Sequence, residues 1–522
     1  MTRVEIPDAR PRWTARRVVA WCAAAVVVAA AIVVWAWPSH EPVCDDQVGL
    51  TPVDGQCVGV ADTDRVYDFG HEELRDVAVR LREANAGARQ DDEHHVGIAV
   101  LLNLTPGDHA IEPPTQLRKQ LEGALRAQAA HNEDRGHLPR VELLLANAGD
   151  GFEHWPKAVE ELLRRRDTPD NLVAVTGFGQ SLTKVTDAIR ALAKEKVPMV
   201  ASTLTSSTLQ GIRGLLRPAP NNSQQAVVAA EKAAEIARGK LSRRGVPGTG
   251  STAAPLPGAS TGPEKPKAVI ITDEKEGDPY PSDLKETFEV EFGRLGGQVA
   301  DPLFYNSGLG EVSGTFRNHW LNICSEKAEV IYFAGRGLHL SAFVGALSDV
   351  YCDIAPDLVV LSGDDSPTED QVAGKNFTEA LDKGIEIINT ELAPPDLWEA
   401  LDLVRAKPEG SIPPDAMTDA GVERFLGPRD GASAAQPADD GEVLSYDAVF
   451  TATTLVQNAV EPDRKEAVTA RDVWAVIDSI RDFTAVQGAS GRLSYDTQGN
   501  AVRKTVFLMS RTAEGHELVD VR

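Results

Sequence analysis

From Val96 onward the chain alternates between short, nearly unbroken apolar runs and longer amphipathic segments, and it does so twice. The runs at 96–102, 141–146, 172–176 and 197–201 suit strands buried on both faces. Between them, 116–131, 155–166 and 181–195 have helical spacing; Leu117, Leu121, Ala124 and Leu125 share one face of the first. A helix around 224–238 restarts the rhythm. Strands at 268–272, 299–305, 330–334 and 357–361 follow, separated by helices at 282–295, 314–323 and 340–347. Alternation of this kind predicts parallel βαβ units with right-handed crossovers. Two sets of similar size predict an α/β protein of two lobes. Residues 243–266, rich in Gly, Pro, Ser, Thr and Ala, form an insertion with no packable face. After Asp364 the pattern loosens: 407–441 reads as a surface excursion, 443–460 and 470–483 as helices, and 491–509 as a β finish.

The N-terminal region carries a second constraint. Residues 18–37 are uncharged over a length that spans a bilayer core. Five arginines and two acids precede them, so the positive-inside rule places 1–17 in the cytoplasm and the bulk of the chain outside. A cleaved signal peptide is the alternative; the length of the run and the poor cleavage site Val34-Trp35-Ala36 favour an uncleaved single-pass anchor. Residues 38–94 read as a polar stalk. Four cysteines, Cys44, Cys57, Cys324 and Cys352, follow the span. Their even number outside the cell suggests two disulfides; proximity favours Cys44–Cys57 and Cys324–Cys352, although three pairings are open.

Beyond residue 17 there are 48 basic and 76 acidic residues, a formal charge of −28. That balance argues against nucleic acid and against docking on anionic lipid, and it also serves plain solubility. No CxxC or HExxH suggests a zinc site, and His71, His94 and His95 lack partner spacing. No GxSxG is present, Gly177-Phe-Gly179 lacks the third glycine of a dinucleotide fingerprint, and Gly248-Thr-Gly-Ser-Thr252 lacks the lysine of a P-loop. These absences argue against an enzyme and against a bound cofactor.

The stretch Val197-Pro-Met-Val-Ala-Ser-Thr-Leu-Thr205 starts as a buried strand and ends in hydroxyls, continued by Ser206 and Ser207. Ligands of open α/β sheets sit beyond the carboxyl ends of strands, where helix N-termini offer free N–H groups to an anion. Ser181, after the Gly-rich turn, and residues 205–207 are placed to open helices there; plain N-capping explains the same residues without a ligand.

Several further motifs recur in one order: Ala174-Val-Thr-Gly-Phe-Gly-Gln-Ser181, Arg217-Pro-Ala-Pro-Asn-Asn-Ser-Gln224, Lys267-Ala-Val-Ile-Ile-Thr-Asp273, Ala328-Glu-Val-Ile-Tyr-Phe-Ala-Gly335, Ser362-Gly-Asp364 and Ser445-Tyr-Asp-Ala448. With the hydroxyl stretch they resemble the type I periplasmic-binding fold, and especially the branched-chain amino-acid-binding receptors of ABC transporters, over about 96–509. The resemblance implies two lobes joined by three crossings. Lobe 1 would comprise 95–218 and 368–488, and lobe 2 would comprise 222–364 and 490–522. It implies that Ser181, Thr203, Leu204 and Thr205 hold an α-carboxylate and that Asp364 takes the ammonium. Asn222 would stand where an acid often lies, and Tyr280 near the cleft. Arg336, where small or aromatic residues are usual, would favour a more acidic ligand. The implied function is capture of an amino acid or related solute by hinge closure, for delivery to an ABC permease. A sensing or scaffolding module of the same fold, acting through a separate membrane partner, is the alternative.

Overall fold

The computed structural model describes Cys44 and residues 49–522, apart from 92–94, 106, 108–111, 135, 137–138, 245–264, 327, 351–357, 366–373, 414, 430–439 and 462–466. The expected tail at 1–17, the span at 18–37 and most of the 243–266 insertion lie outside the described residues. Among the described residues no helix is long and apolar enough to cross a membrane.

The first lobe is built on a sheet of β1 (Leu50–Val53), β2 (Gln56–Val60), β3 (Val96–Leu102), β4 (Val141–Asn147), β5 (Leu172–Gly177), β6 (Met199–Ala201) and β7 (Leu215–Leu216), in the order β1-β2-β4-β3-β5-β6-β7. Strands β4, β3, β5, β6 and β7 are parallel. The period-two geometry of a strand explains why their apolar runs are continuous. Ile98, Val100 and Leu102 enter one core with α1 (Glu72–Asp91) and α2 (Pro114–Glu133). Ala99 and Leu101 enter the other, with α3 (Trp155–Arg165) and α4 (Thr183–Lys194).

The expected polar stalk is corrected here. Strand β2 pairs antiparallel with β4, and Leu74, Val77 and Leu81 of α1 are core residues. The side chain of Asn85 bonds both the N–H and the carbonyl of Leu143 on β4, at 3.0 and 2.8 Å. Residues 50–91 are therefore part of the first lobe. Cys44 and Cys57 are joined by a disulfide, which ties Cys44 to β2. Cys324 is also disulfide-bonded; Cys352, its expected partner, lies outside the described residues.

The chain leaves the first sheet after β7 through Pro218–Asn221 and enters α5 (Asn222–Arg244) of the second lobe. There follow β8 (Lys267–Asp273), α6 (Tyr280–Arg294), β9 (Gln298–Val299), β10 (Leu303–Tyr305), α7 (Ser313–Glu326), β11 (Val330–Ala334), α8 (Gly337–Ala346), β12 (Val359–Ser362), α9 (Lys375–Asp382) and β13 (Glu386–Glu391). The second sheet runs β10-β8-β11-β12-β13, continued by the C-terminal strands β16 (Phe507–Thr512) and β17 (Gly515–Val521), with β9 beside β8. Val269, Ile271, Ile331 and Phe333 face one core, and Ala268, Ile270, Val330 and Tyr332 the other.

The second and third crossings are also corrected. Residues 368–391 were expected in lobe 1. Instead β13 pairs with β12, Ile387 and Ile388 enter the two second-lobe cores, and Phe377 of α9 packs there. The chain returns to the first lobe only through residues 392–396, into α10 (Leu397–Ala406), α11 (Asp419–Leu426) and α12 (Asp440–Ala459). It then makes the β14–β15 ribbon (Val486–Gly488, Gly491–Leu493), whose Ala489 and Leu493 still belong to the first-lobe core, as do Tyr495 and Ala501. The last crossing is therefore at about 502–506, ahead of β16 (Phe507–Thr512) and β17 (Gly515–Val521). The segments leading into the first and third crossings touch: Arg217 N–H donates to Gly499 O at 2.8 Å, and Ala501 N–H to Arg217 O at 3.1 Å. A buried polar set anchors this region to α12. Asp447 accepts the N–H groups of Ala489 and Ser490, at 2.6 and 3.0 Å, and Lys504 Nζ donates to Ser490 Oγ at 2.6 Å.

Candidate functional site

The carboxyl ends of the parallel strands of the two sheets bring the site together, and the two walls are built differently. On lobe 1, Gly177, Phe178 and Gly179 all have positive φ (93°, 72° and 59°). This left-handed run turns the chain sharply off β5, a conformation that glycine accepts without strain. Ser181 is thereby brought beneath the turn after β6. Its Oγ accepts the N–H groups of Thr205 and Ser206 at 3.2 and 3.1 Å. Ser202 Oγ donates to Gly177 O at 3.1 Å and Thr203 Oγ1 to Gly179 O at 2.7 Å. The hydroxyls after β6 thus stitch two strand-end turns together, satisfying polar groups that burial would otherwise strand.

The next two residues reach across to lobe 2. Asp283 Oδ2, in the first turn of α6, accepts from Ser206 Oγ and Ser207 N–H, both at 2.7 Å, and from Asn222 Nδ2 at 3.3 Å. Farther along the interface, the N–H and Oγ1 of Thr183 donate to Gly277 O at 3.0 and 3.2 Å. The lobes are therefore in direct contact on both sides of the strand-end turns.

On lobe 2 the wall is charged. Arg336, buried at the end of β11, holds Asp278 through Nε and Nη2 at 2.8 and 2.7 Å and Asp365 through Nη1 at 3.1 Å. Its guanidinium lies 4.4 Å from the Tyr280 ring centroid, a cation–π contact. Burial opposes its charge, but Asp278 and Asp365 outweigh that and hold its pKa well above the usual range. Tyr280 Oη donates to Asp364 Oδ1 and accepts Asp365 N–H, each at 3.1 Å. Burial, and secondly the neighbouring Asp365 carboxylate, push Asp364 up to about 6. Burial and then Asp364 and Asp365 push Tyr280 up as well.

Two glycines make this wall possible. A Cβ on Gly363 would stand 2.3 Å from Tyr280 Oη, and one on Gly335 would stand 2.3 Å from Tyr305 Oη. Each tyrosine threads its hydroxyl to the strand ends through the space a side chain would fill. Beside Tyr305, Asp273 accepts the N–H groups of Lys275 and Ser307, both at 3.0 Å, and Ser307 Oγ at 2.6 Å.

Solved structures share this fold. An ABC transporter substrate-binding protein from Desulfitobacterium hafniense, in complex with Leu, matches with a TM-score of 0.55 at 16% identity, over 81% of this chain and 100% of that one. A possible leucine/isoleucine/valine-binding protein from Rhodopirellula baltica matches at 0.53 and 15%, over 82% and 97%. A solute-binding protein of an ABC transporter from R. palustris, in complex with benzoate, matches at 0.51 and 13%, over 82% and 96%. This is the type I periplasmic-binding fold. No protein-family model matches the chain, and no curated protein does.

Within this fold the expected site residues separate into two groups. Ser181, Thr203, Leu204 and Thr205 come together on lobe 1, and Tyr280 and Asp364 are hydrogen-bonded on lobe 2. Several roles differ from expectation. Leu204 is wholly buried in the lobe 1 core, so its side chain does not line the cleft. Ser181 does not open a helix, since α4 begins at Thr183, and residues 207–209 form one 3-10 turn capped by Ser206. Asn222 is fully buried and joins the lobes by donating to Asp283 and, through its N–H, to Thr205 O at 2.8 Å. Arg336 was expected to draw an acidic ligand, yet its donors are turned onto Asp278 and Asp365. The sequence reading missed Asp273, Asp278, Asp283, Tyr305, His339 and Asp365. Most lie within the first turn after a strand or at a strand's last residue, where fold geometry collects chemistry.

Proposed function

We propose that this chain is an extracytoplasmic solute-binding protein, held to the membrane by residues 18–37, that captures a small polar solute such as an amino acid or a related compound between its two lobes. Hinge motion about the three crossings closes the cleft, and an ABC-type permease receives the solute. The observation that carries the reading is the pair of polar strand-end walls facing each other, with Thr183 and Gly277 in contact across them. The wall groups are carboxylates, hydroxyls, an imidazole and one guanidinium, and the named neighbours are substrate-binding proteins, so binding without catalysis is the reading. The named neighbours that carry Leu or benzoate support capture of small organic solutes.

Thermal unfolding of the full chain in detergent, screened against amino acids, aromatic acids, small peptides and polyamines, tests this. A saturable rise in Tm with one class supports capture; no rise with any class overturns it. The engagement of Ser206 and Ser207 by the chain's own Asp283 favours a second reading, in which the same fold senses or scaffolds beside a separate membrane partner. Co-purification with a permease, rather than with another membrane protein, separates the two.

A further inference from the structure

Beyond Asp364, lobe 2 holds a cluster of polar atoms that the contacts described above leave unused. Tyr305 ends β10 and pairs in register with Asp273, the last residue of β8. The Tyr305 side chain is buried to 3% exposure, and its hydroxyl has no hydrogen-bond partner among the described residues. Its ring meets the His339 imidazole edge-on at 5.6 Å. His339 Nδ1 is likewise unpartnered and lies 3.8 Å from Asp273 Oδ2. Oδ2 accepts one bond, from Ser307 Oγ, and a carboxylate oxygen can take more. A buried hydroxyl without a partner is costly, so this arrangement calls for a group that bonds it.

The nature of that group follows from the atoms and the charge. Asp273 Oδ2 can only accept, Tyr305 Oη has lone pairs to give, and a neutral imidazole accepts at one nitrogen. Burial, against the pull of Asp273 and Asp365, lowers the His339 pKa and favours that neutral form. The surroundings hold four carboxylates, Asp273, Asp278, Asp364 and Asp365, against the cations Arg336 and Lys275, and Arg336 is bound to two of those carboxylates. An added carboxylate would face net like charge, whereas a donor-rich cation would not. Among the described residues no cluster has the ligand set of a metal ion. We propose that Asp273, Tyr305 and His339 form a subsite for the N–H groups of an organic cation, an alkylammonium or guanidinium, and that the captured solute is a cation.

This rests on the solute-binding reading, and the test separates the two. Isothermal calorimetry on the full chain in detergent would use spermidine, agmatine and butylamine as cationic probes and leucine and benzoate as the others. Saturable binding of a cationic probe is expected, with Kd raised at least tenfold in both Tyr305→Phe and Asp273→Asn. Tyr305→Phe keeps the ring packing and removes the unpartnered hydroxyl, so its Tm without ligand should not fall below that of wild type. Cation binding left unchanged by Tyr305→Phe overturns the subsite and leaves capture standing. Binding of leucine or benzoate but of no cationic probe overturns the cation assignment alone. Binding of none of the five overturns both.

Discussion

The two cleft walls use polar residues for different ends. On lobe 1 the hydroxyls of Ser181, Ser202 and Thr203 are spent on backbone groups of neighbouring turns, and the Ser206 hydroxyl and the Ser207 N–H are spent on Asp283. The hydroxyls of Ser181, Ser202, Thr203 and Ser206 are each satisfied by the protein itself. On lobe 2 the carboxylates outnumber the cations, burial raises the pKa of one aspartate to about 6, and a buried tyrosine hydroxyl has no partner among the described residues. On the proposed reading, the satisfied hydroxyls suit the first wall to a frame, and the incompletely compensated groups suit the second to recognition. Polar composition alone therefore does not mark a binding surface; the state of each donor and acceptor does.

The largest break in this comparison is expected at Arg336. Its side chain is buried and bonded to two carboxylates. Arg336→Met fills much of the space but leaves Asp278 and Asp365 without their cation, and removing one partner of a buried ion pair costs about 3–5 kcal/mol. Urea unfolding at pH 7.5 should report a loss of that order; a loss under about 1 kcal/mol would mean that the guanidinium does not organise the wall.

Asp364 should behave in the opposite sense. Its folded pKa of about 6 exceeds the ordinary 3.8, so the folded state holds the proton more tightly than the unfolded chain. The ionised form costs stability that is absent below about pH 4, grows between pH 4 and 6 and is complete above 6. Asp364→Asn removes that cost, raising stability by as much as about 2–3 kcal/mol at pH 7.5 and by almost nothing at pH 4. Denaturant midpoints at the two pH values check the sign, and a gain of equal size at both would refute the burial argument. The smallest effect belongs to lobe 1. Ser181→Ala leaves the N–H groups of Thr205 and Ser206 without their acceptor and should cost about 1–2 kcal/mol, with only a minor change in solute affinity. An affinity loss larger than the stability loss would make Ser181 a ligand contact and erase the difference between the walls.

Much of the fold was legible because burial on both faces leaves a plain mark: a run such as Val96–Leu102 has no polar alternation to hide it. The parts missed had short or mixed marks. The β1–β2 hairpin turns on Asp54-Gly55, both at positive φ, and a DG dipeptide between β-prone runs is a recognised hairpin signal that a reading of the region as stalk passed over. Strand β13 is short, ends in polar residues and lies after the regular alternation has faded, so its place in the second sheet depends on pairing with β12 and β16. The site was legible as chemistry but not as commitment. Nothing near Ser206 announces that an aspartate 77 positions away will occupy it, nor does anything near Arg336 announce Asp278, 58 positions back.

The central claim is that solute is held between the two strand-end walls. Peptide-resolved hydrogen exchange of the full chain, with and without its tightest-binding probe, tests it most directly. The account predicts slowed exchange at 273–280, 303–309, 335–339 and 362–365 on lobe 2, together with 177–183 and 203–207 on lobe 1 as the cleft closes. Protection absent from both groups of strand ends, or confined to segments remote from them, would contradict it.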